Sequence, residues 1–413
     1  MSLIRPFPAL RPAPGRADDV AAPPYDVLNS AEARARVEGK PWSFLHISKP
    51  EIDLAEGTDP YDASVYTKGK ENFDHMLKEG VLVQDEQPSY YLYRLIMGSH
   101  QQIGLVAAAS VADYDTNRIR KHEFTRPDKE DDRVRQVDTL NCQTGPVFLT
   151  YRHDATIDKI VSEVTAGEPE VNITADDGIE HALWPVTDQA TIDTITSTFD
   201  AMNAIYIADG HHRSAAASRV CESRKAANSN HTGDEAYNYF LTVIFPDDQM
   251  MILDYNRVIT DLNGLDNATF LSKIEESFEV TKSATTVRPQ SNAEFGMYLD
   301  RNWYKLSIKS ELIPTDDPVA RLDVSLLANN LIDPILGISD PRRDKRIDFV
   351  GGIRGLEELE KRVNSGEMAV AFALYPTSMD QLMSVADANE VMPPKSTWFE
   401  PKLADGLASH MLD

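Results

Sequence analysis

The sequence predicts a mixed α/β protein in three segments: an N-terminal arm with helices over 1–85, a central core over 86–260 and a further α/β region over 261–413. Three observations carry this reading. "YYLYRLIMGSHQQIGLVAAASVADY", from Tyr90, reads as two strands joined by a turn at Gly98-Ser99-His100. Ile192, Ile195, Phe199 and Met202 recur at helical spacing. "IYIADGHHRSAAASRV", Ile205–Val220, leads from three apolar residues through a polar corner into a small-residue helix.

In chain order, prolines at 6, 8, 12, 14, 23 and 24 exclude regular structure from the start. Phe7, Leu10, Val20, Tyr25 and Val27 among them predict an arm packed on the body. Ser30 reads as the N-cap of a helix ending at Gly39, and a second helix is expected over 62–78, stopped by Gly80. After the strand pair, a helix opens at Pro127, with Val134, Val137 and Leu140 on its apolar face. "GPVFLTYR" is a strand, a helix covers 158–165, and "HALWPV" is a weak strand. Ala204–Ala208 is the strand before the corner, and the helix after it is expected from Ser214 to Ala227. "YFLTVIF" and "MMILDYNRVI" read as paired strands around Pro246-Asp247-Asp248. Beyond them, "TFLSKIEESFEV" is an amphipathic helix, "WYKLSI" and "MAVAFALYP" are strands, and a helix from Ser378 leads into a proline-rich loop.

Forty-one basic against sixty-six acidic residues give a net charge of −25, a field that repels nucleic acid and anionic membrane. No stretch approaches the roughly 18 apolar residues of a membrane span, and "MSLIRPFPAL" has no signal-peptide core. Cys142 and Cys221 sit in no CxxC pair, which argues against a disulfide framework and a cysteine zinc site. A cytoplasmic protein is the expectation; a homodimer is left open.

The corner Asp209-Gly210-His211-His212-Arg213 is the shape that builds an anion site. Glycine permits a tight turn, the first N–H groups of the helix lack partners, and the helix dipole adds positive charge. Arg213 can fork onto phosphate oxygens, and the imidazoles of His211 and His212 offer further donors. An ordinary helix start with exposed polar residues is the plainer alternative. Two adjacent histidines seldom share one ion without a third ligand, and no HExxH spacing is present, so a zinc enzyme ranks low.

In "RKHEFTRPDKEDDR", His122 and Glu123 stand at the end of a short strand, where Glu123 is a general-base candidate. Asp128–Asp132 read as a solvated helix start. "FVGGIRGLEELEKRV" lacks both GxGxxG spacing and a P-loop lysine, so an ordinary turn is favoured. "MPPKSTWFEPK" offers Lys395 in a rigid loop able to reach a cleft, and "PPYDVL" reads as a structural turn. No GxSxG anchors a serine hydrolase.

The set "PPYDV" (23–27), "KHEFT" (121–125), "ADGHHR" (208–213) and "MPPKSTWFEPKLADGL" (392–407) resembles a large prokaryotic family catalogued as domain of unknown function ten-fifteen, over nearly the whole chain. More remotely, the order strand, His-Glu, helix, strand, Asp-Gly-His-His-Arg, helix is similar to the ParB/sulfiredoxin-type fold, free serine kinases included. That likeness implies a ParB/sulfiredoxin-like core that binds a nucleotide, ATP or ADP with magnesium. It implies Glu123 as base toward a substrate hydroxyl, and Asp209 as a residue against the hydroxyl or the metal. Gly210, His211, His212 and Arg213 would hold phosphates, with His122 and Lys395 as further contacts. This chain is longer than those proteins, and its C-terminal part has no counterpart there.

Three readings follow: a nucleotide-dependent kinase of a small hydroxyl compound such as an amino acid; a ParB-like nucleotide-binding regulator without turnover; and a metal-dependent hydrolase. Charge weighs against DNA partners in the last two, no basic stripe with interleaved aromatics offsets it, and the kinase leads.

Overall fold

The computed structural model describes residues 2–413. It divides into two compact units, Met1–Met250 with Pro401–Asp413, and Met251–Glu400. This differs from the three segments read in the sequence: the arm and the core share a unit, and the end of the chain returns to them.

Among the described residues, the first unit holds a nine-stranded mixed sheet. Its strands are β1 (Ile4–Arg5), β2 (Tyr90–Met97), β3 (His100–Ser110), β4 (Ile119–Arg120), β5 (Val147–Tyr151), β6 (Val171–Thr174), β7 (Glu180–Val186), β8 (Ile205–Asp209) and β9 (Tyr239–Pro246). The order is β4-β8-β5-β9-β3-β2-β7-β6, with β1 on β3 through Ile4↔Ala109. The pairs β4–β8 and β5–β9 are parallel, and the others antiparallel. Leu105, Ala107 and Ala109, spaced by two, join Ile205, Ile207 and Phe199 in one buried cluster, as the pleat requires. A second cluster gathers Phe44, Phe73, Met76, Leu82 and Cys142. It forms where the arm, expected to be irregular, supplies the strand Leu10–Pro12 to pair with Leu82–Gln84; in this two-stranded pair Pro12 can close an edge strand.

Four of this unit's helices are α1 (Ala63–Lys78), α2 (Pro127–Leu140), α3 (Gln189–Asp200) and α4 (His211–Ala227). Asp62 caps α1 by accepting the Ser64 N–H at 2.9 Å. Proline opens α2, where a missing N–H does no harm, and Asn141 closes it in the left-handed region at φ 54°. The helix expected after Ser30 begins at that residue with Asn29 as its cap, because Asn29 and Glu32 form a reciprocal capping box. "HALWPV" is a full seven-residue strand whose pairing with both β2 and β6 outweighs its weak sequence signal.

Two expectations are corrected. "YFLTVIF" and "MMILDYNRVI" do not pair: β9 lies between β3 and β5, whereas Met251–Leu253 pairs with Trp398–Glu400. Tyr255–Ile259 pairs with Ile347–Gly351 and Val370–Ala373. Asp247–Gln249 forms a short 3₁₀ turn in place of a hairpin, and the unit boundary follows it. "TFLSKIEESFEV" splits into the helix Asn267–Ile274 and the strand Phe278–Ser283.

The second unit is built on a six-stranded sheet containing Tyr255–Ile259, Phe278–Ser283, Glu294–Leu299, Asn302–Ile308, Ile347–Gly351 and Val370–Ala373. Among the described residues no helix is long and apolar enough to cross a membrane.

Candidate functional site

The corner after β8 is shaped by two local irregularities. Ile207 opposes Leu149 and Asp209 opposes Phe148, so Ala208 is an extra residue on β8. Such a bulge bends the strand and re-aims the side chains after it, here that of Asp209. Gly210 then turns the chain at φ 96°, a left-handed conformation costly to any residue with a Cβ. The Asp209 Oδ1 accepts the Gly210 N–H at 2.7 Å. Helix α4 begins at once, so His211, His212 and Arg213 form its first turn, and the expected start at Ser214 came three residues late. Histidine and arginine at the positive end of a helix dipole contradict the usual preference for acids there.

The His-Glu segment lies on this turn. Strand β4 runs parallel to β8 through Ile119↔Ile205, which carries Lys121–Arg126 to the start of α4. The His122 N–H donates to His211 Nε2 at 3.4 Å, and the Arg126 N–H to His212 Nε2 at 3.1 Å. Both histidines thus use Nε2 as an acceptor, leaving only the Nδ1–H of each as a donor when neutral. The Nδ1 of His211 lies 3.8 Å from Glu123 Oε2, and that carboxylate is about half exposed, at 48%. His122 and His211 stack edge to face at 4.5 Å. Burial presses His122 down to about 4, and burial together with the His122 ring holds His211 well below the ordinary imidazole range. Burial also lowers His212. All three are therefore neutral at pH 7.

Counter-charges arrive from the chain's two ends. The Lys402 Nζ stands 3.4 Å from Asp209 Oδ2. Burial opposes ionisation of Asp209, yet the charges of Lys402 and Arg213, with the Gly210 N–H, outweigh it and hold the carboxyl well below its usual range. The Arg213 guanidinium donates to the Pro146 carbonyl. A Cβ on Gly210 would come within 3.1 Å of its Nε. Burial would lower Arg213, but Asp26, Asp209, Tyr25 and Asp405 raise it. Asp405 is buried, at 2% exposure, and burial pushes its carboxyl up to about 7 against the pull of Arg213. Its Oδ1 has no hydrogen-bond partner. Arg133 lies over the Tyr25 ring at 3.9 Å and donates to Asp132 at 2.6 Å. Tyr25, Arg133, Thr144, Arg213 and Asp405 line one small cavity of about 30 Å³.

The structure thus brings together His122, Glu123, Asp209, Gly210, His211, His212 and Arg213. Lys395 belongs to the second unit, at φ 59° and 5.7 Å from the Tyr255 ring centroid. The lysine beside Asp209 is Lys402, from the same quoted motif, and the sequence reading passed over it. It also passed over Tyr25, read as a turn, and Asp405. Their shared signal was membership of the motif set, since spacing alone says nothing about residues so distant in sequence.

A protein-held magnesium ion does not fit this corner. Both oxygens of Asp209 are engaged, by the Gly210 N–H and by Lys402. Among the described residues no group of three or more His, Cys, Asp or Glu side chains is placed to hold a metal.

A family model described as "Protein of unknown function (DUF1015)" matches residues 4–325. No curated protein matches the chain. Among solved structures, SbnI with a C-terminal truncation from Staphylococcus aureus is similar at 10% identity and a TM-score of 0.39, over 74% of this chain and 87% of that one. A free serine kinase in complex with AMP follows at 12% and 0.35, over 71% and 86%. A conserved hypothetical protein from Pyrococcus furiosus stands at 13% and 0.36, over 75% and 95%. At scores this low the likenesses carry no argument about this chain's ligand, and the site rests on its own geometry.

Proposed function

The chain belongs to the DUF1015 family, whose description supplies no reaction, and we propose from the site's geometry that it binds a nucleotide and transfers its terminal phosphoryl group to a small hydroxyl compound. One observation carries this reading: the Glu123 carboxylate, half exposed, stands 3.8 Å from the first side chain of a helix whose opening turn holds no acid. Phosphoryl transfer asks a protein chiefly for positioning and charge neutralisation. The N–H groups at the start of α4 and the charge of Arg213 and Lys402 serve the second need. Gly210 lets the Arg213 guanidinium lie close against the turn. Glu123 serves the first by orienting the acceptor hydroxyl. As the hydroxyl oxygen attacks the terminal phosphorus, the bond to the nucleotide's bridging oxygen breaks and the hydroxyl proton passes to Glu123. ATP or ADP is the donor in this reading, with magnesium arriving on the nucleotide, and the protein works in the cytoplasm. The amino-acid acceptor is carried over from the motif resemblance to free serine kinases.

A nucleotide-binding regulator without turnover is the second reading. It draws on Arg213, whose guanidinium is already engaged by the Pro146 carbonyl and faces Asp405.

The test is incubation with ATP, ADP or CTP, magnesium and an amino-acid mixture, with phosphorylated product followed by phosphorus NMR. Glu123→Gln is expected to lower turnover by roughly 10²–10⁴-fold, the weight of general-base catalysis, while nucleotide affinity is kept. Undiminished turnover in that variant removes Glu123 from the chemistry. Binding without product in the wild type supports the regulator, and release of inorganic phosphate from the nucleotide with no phosphorylated acceptor supports the hydrolase.

A further inference from the structure

Lys402 also lines a cleft of about 60 Å³ in the first unit, together with Asp18, Lys40, Ser43, Asp177 and His181. A water needs roughly 10–15 Å³ of such space, so the cleft takes a ligand of only a handful of heavy atoms.

The floor and the rim of this cleft differ in kind. On the floor, His181 is 3% and Ser43 6% exposed. The Tyr93 Oη accepts the Ala404 N–H at 3.2 Å and lies 2.6 Å from His181 Nδ1. Tyr93 is buried, so its own proton is satisfied by donating to that nitrogen. Burial keeps the imidazole neutral, pressed down to about 4. The ring therefore carries its one proton on Nε2, and that N–H is the polar group His181 has left for the cleft. The Ser43 Oγ accepts the Leu45 N–H at 3.4 Å, which leaves its hydroxyl proton to donate. The acids lie at the rim: Asp18, Asp19, Asp176 and Asp177 are all exposed. Two of them are already paired, Asp176 with Lys40 at 2.6 Å and Asp19 with Arg16 at 2.8 Å. Asp177 accepts the Ile179 N–H at 3.1 Å.

We propose that this cleft binds a short carboxylate, its oxygens accepting from His181 Nε2–H and Ser43 Oγ–H. Both side chains line the cleft, and a ligand that can only accept suits two such donors. A carboxylate is favoured over phosphate because the two donors are neutral, there is no helix start, and the one guanidinium in the lining, Arg36, is shared with Asp176 at 3.9 Å. Lys402 joins the cleft to the Asp209 corner.

The test is calorimetric titration of the full chain, without nucleotide, with glycolate, glycerate and malate, each beside its amide, and with inorganic phosphate. Saturable binding of at least one carboxylate is expected, with its amide roughly tenfold or more weaker. Ser43→Ala, which removes a single oxygen atom, should weaken that binding by a similar factor, and His181→Phe should do so as well. No saturable carboxylate, amides that bind equally, phosphate that binds more tightly, or Ser43→Ala at wild-type affinity would each overturn the proposal. Because nucleotide is absent, this result stands or falls separately from the turnover of Glu123→Gln.

Discussion

At Asp209–Arg213, and again at Gly351–Arg354, a strand runs through glycine to an arginine at the edge of a helix. The first corner opens directly into α4, with no acid in the opening turn. The second passes through the 3₁₀ turn Gly352–Arg354 before the helix Glu357–Asn364, whose first turn holds Glu357, Glu358 and Glu360. Those carboxylates answer the positive end of the helix from within its own sequence. The second corner is also turned outward, with Ile353 at 52% exposure and Arg354 exposed beside it. Its glycines serve packing: a Cβ on Gly352 would come within 2.4 Å of Asp254 Oδ1, and one on Gly351 within 2.7 Å of Trp398. Arg213 instead stands among Asp26, Asp209 and Asp405. A corner that answers its own charge is finished structure, whereas one that places cations and neutral imidazoles at a positive helix end breaks a local rule. Such breaks concentrate where proteins bind or react.

Substitutions at matched positions sharpen this contrast. The largest difference is expected between the arginines. Arg213→Met leaves buried Asp405 without its compensating charge and should lower unfolding stability by about 3 kcal/mol in urea titrations. Arg354→Met should stay within about 0.5 kcal/mol, as exposed substitutions do. Similar losses at both positions would erase the distinction.

The glycines come next. Gly210→Ala places a Cβ at φ 96°, 3.1 Å from Arg213 Nε, and should cost about 2 kcal/mol while weakening nucleotide binding. Gly355→Ala, at φ 72° against the far end of the Glu357 side chain, should cost about 1 kcal/mol and leave nucleotide binding unchanged. Thermal melts with and without ATP separate the two.

The gentlest test is pH. His122, His181 and His410 are all pressed down to about 4 by burial from an ordinary 6.5. The unfolded chain takes up these protons as the pH falls through 6.5, while the folded chain refuses them until about 4. Their contribution to stability is therefore complete above 6.5 and lost progressively between 6.5 and 4. Urea midpoints across that interval should fall steadily as the pH is lowered, and a flat profile would contradict their burial. Asp405 acts in the opposite sense. Its folded-state value, about 7 against an ordinary 3.8, makes its contribution largest at low pH and lost as the pH rises through 7.

Much of the architecture was legible because it is local. Alternation and the Gly98-Ser99-His100 turn placed β2 and β3; Asp62, Pro127 and Gly80 marked helix ends by capping and backbone chemistry. The Asp-Gly-His-His-Arg corner was legible for the same reason, since glycine's freedom and a helix start are properties of consecutive residues. What failed was non-local. The strands around Pro246 read as partners because both are apolar and β-branched, and nothing within either run reveals that the next one pairs with Trp398–Glu400.

The sequence by itself determined the corner's backbone chemistry and offered Glu123 as a candidate base, while the pairing of β4 with β8 set that carboxylate beside the corner. Only the tertiary structure decided which charges meet there. Lys402 and Asp405 return to this unit from the far side of an inserted one, and Tyr25 and Asp26 come from the arm. Backbone geometry follows from neighbours along the chain, whereas Coulombic pairing and desolvation depend on distance through space, which periodicity cannot encode.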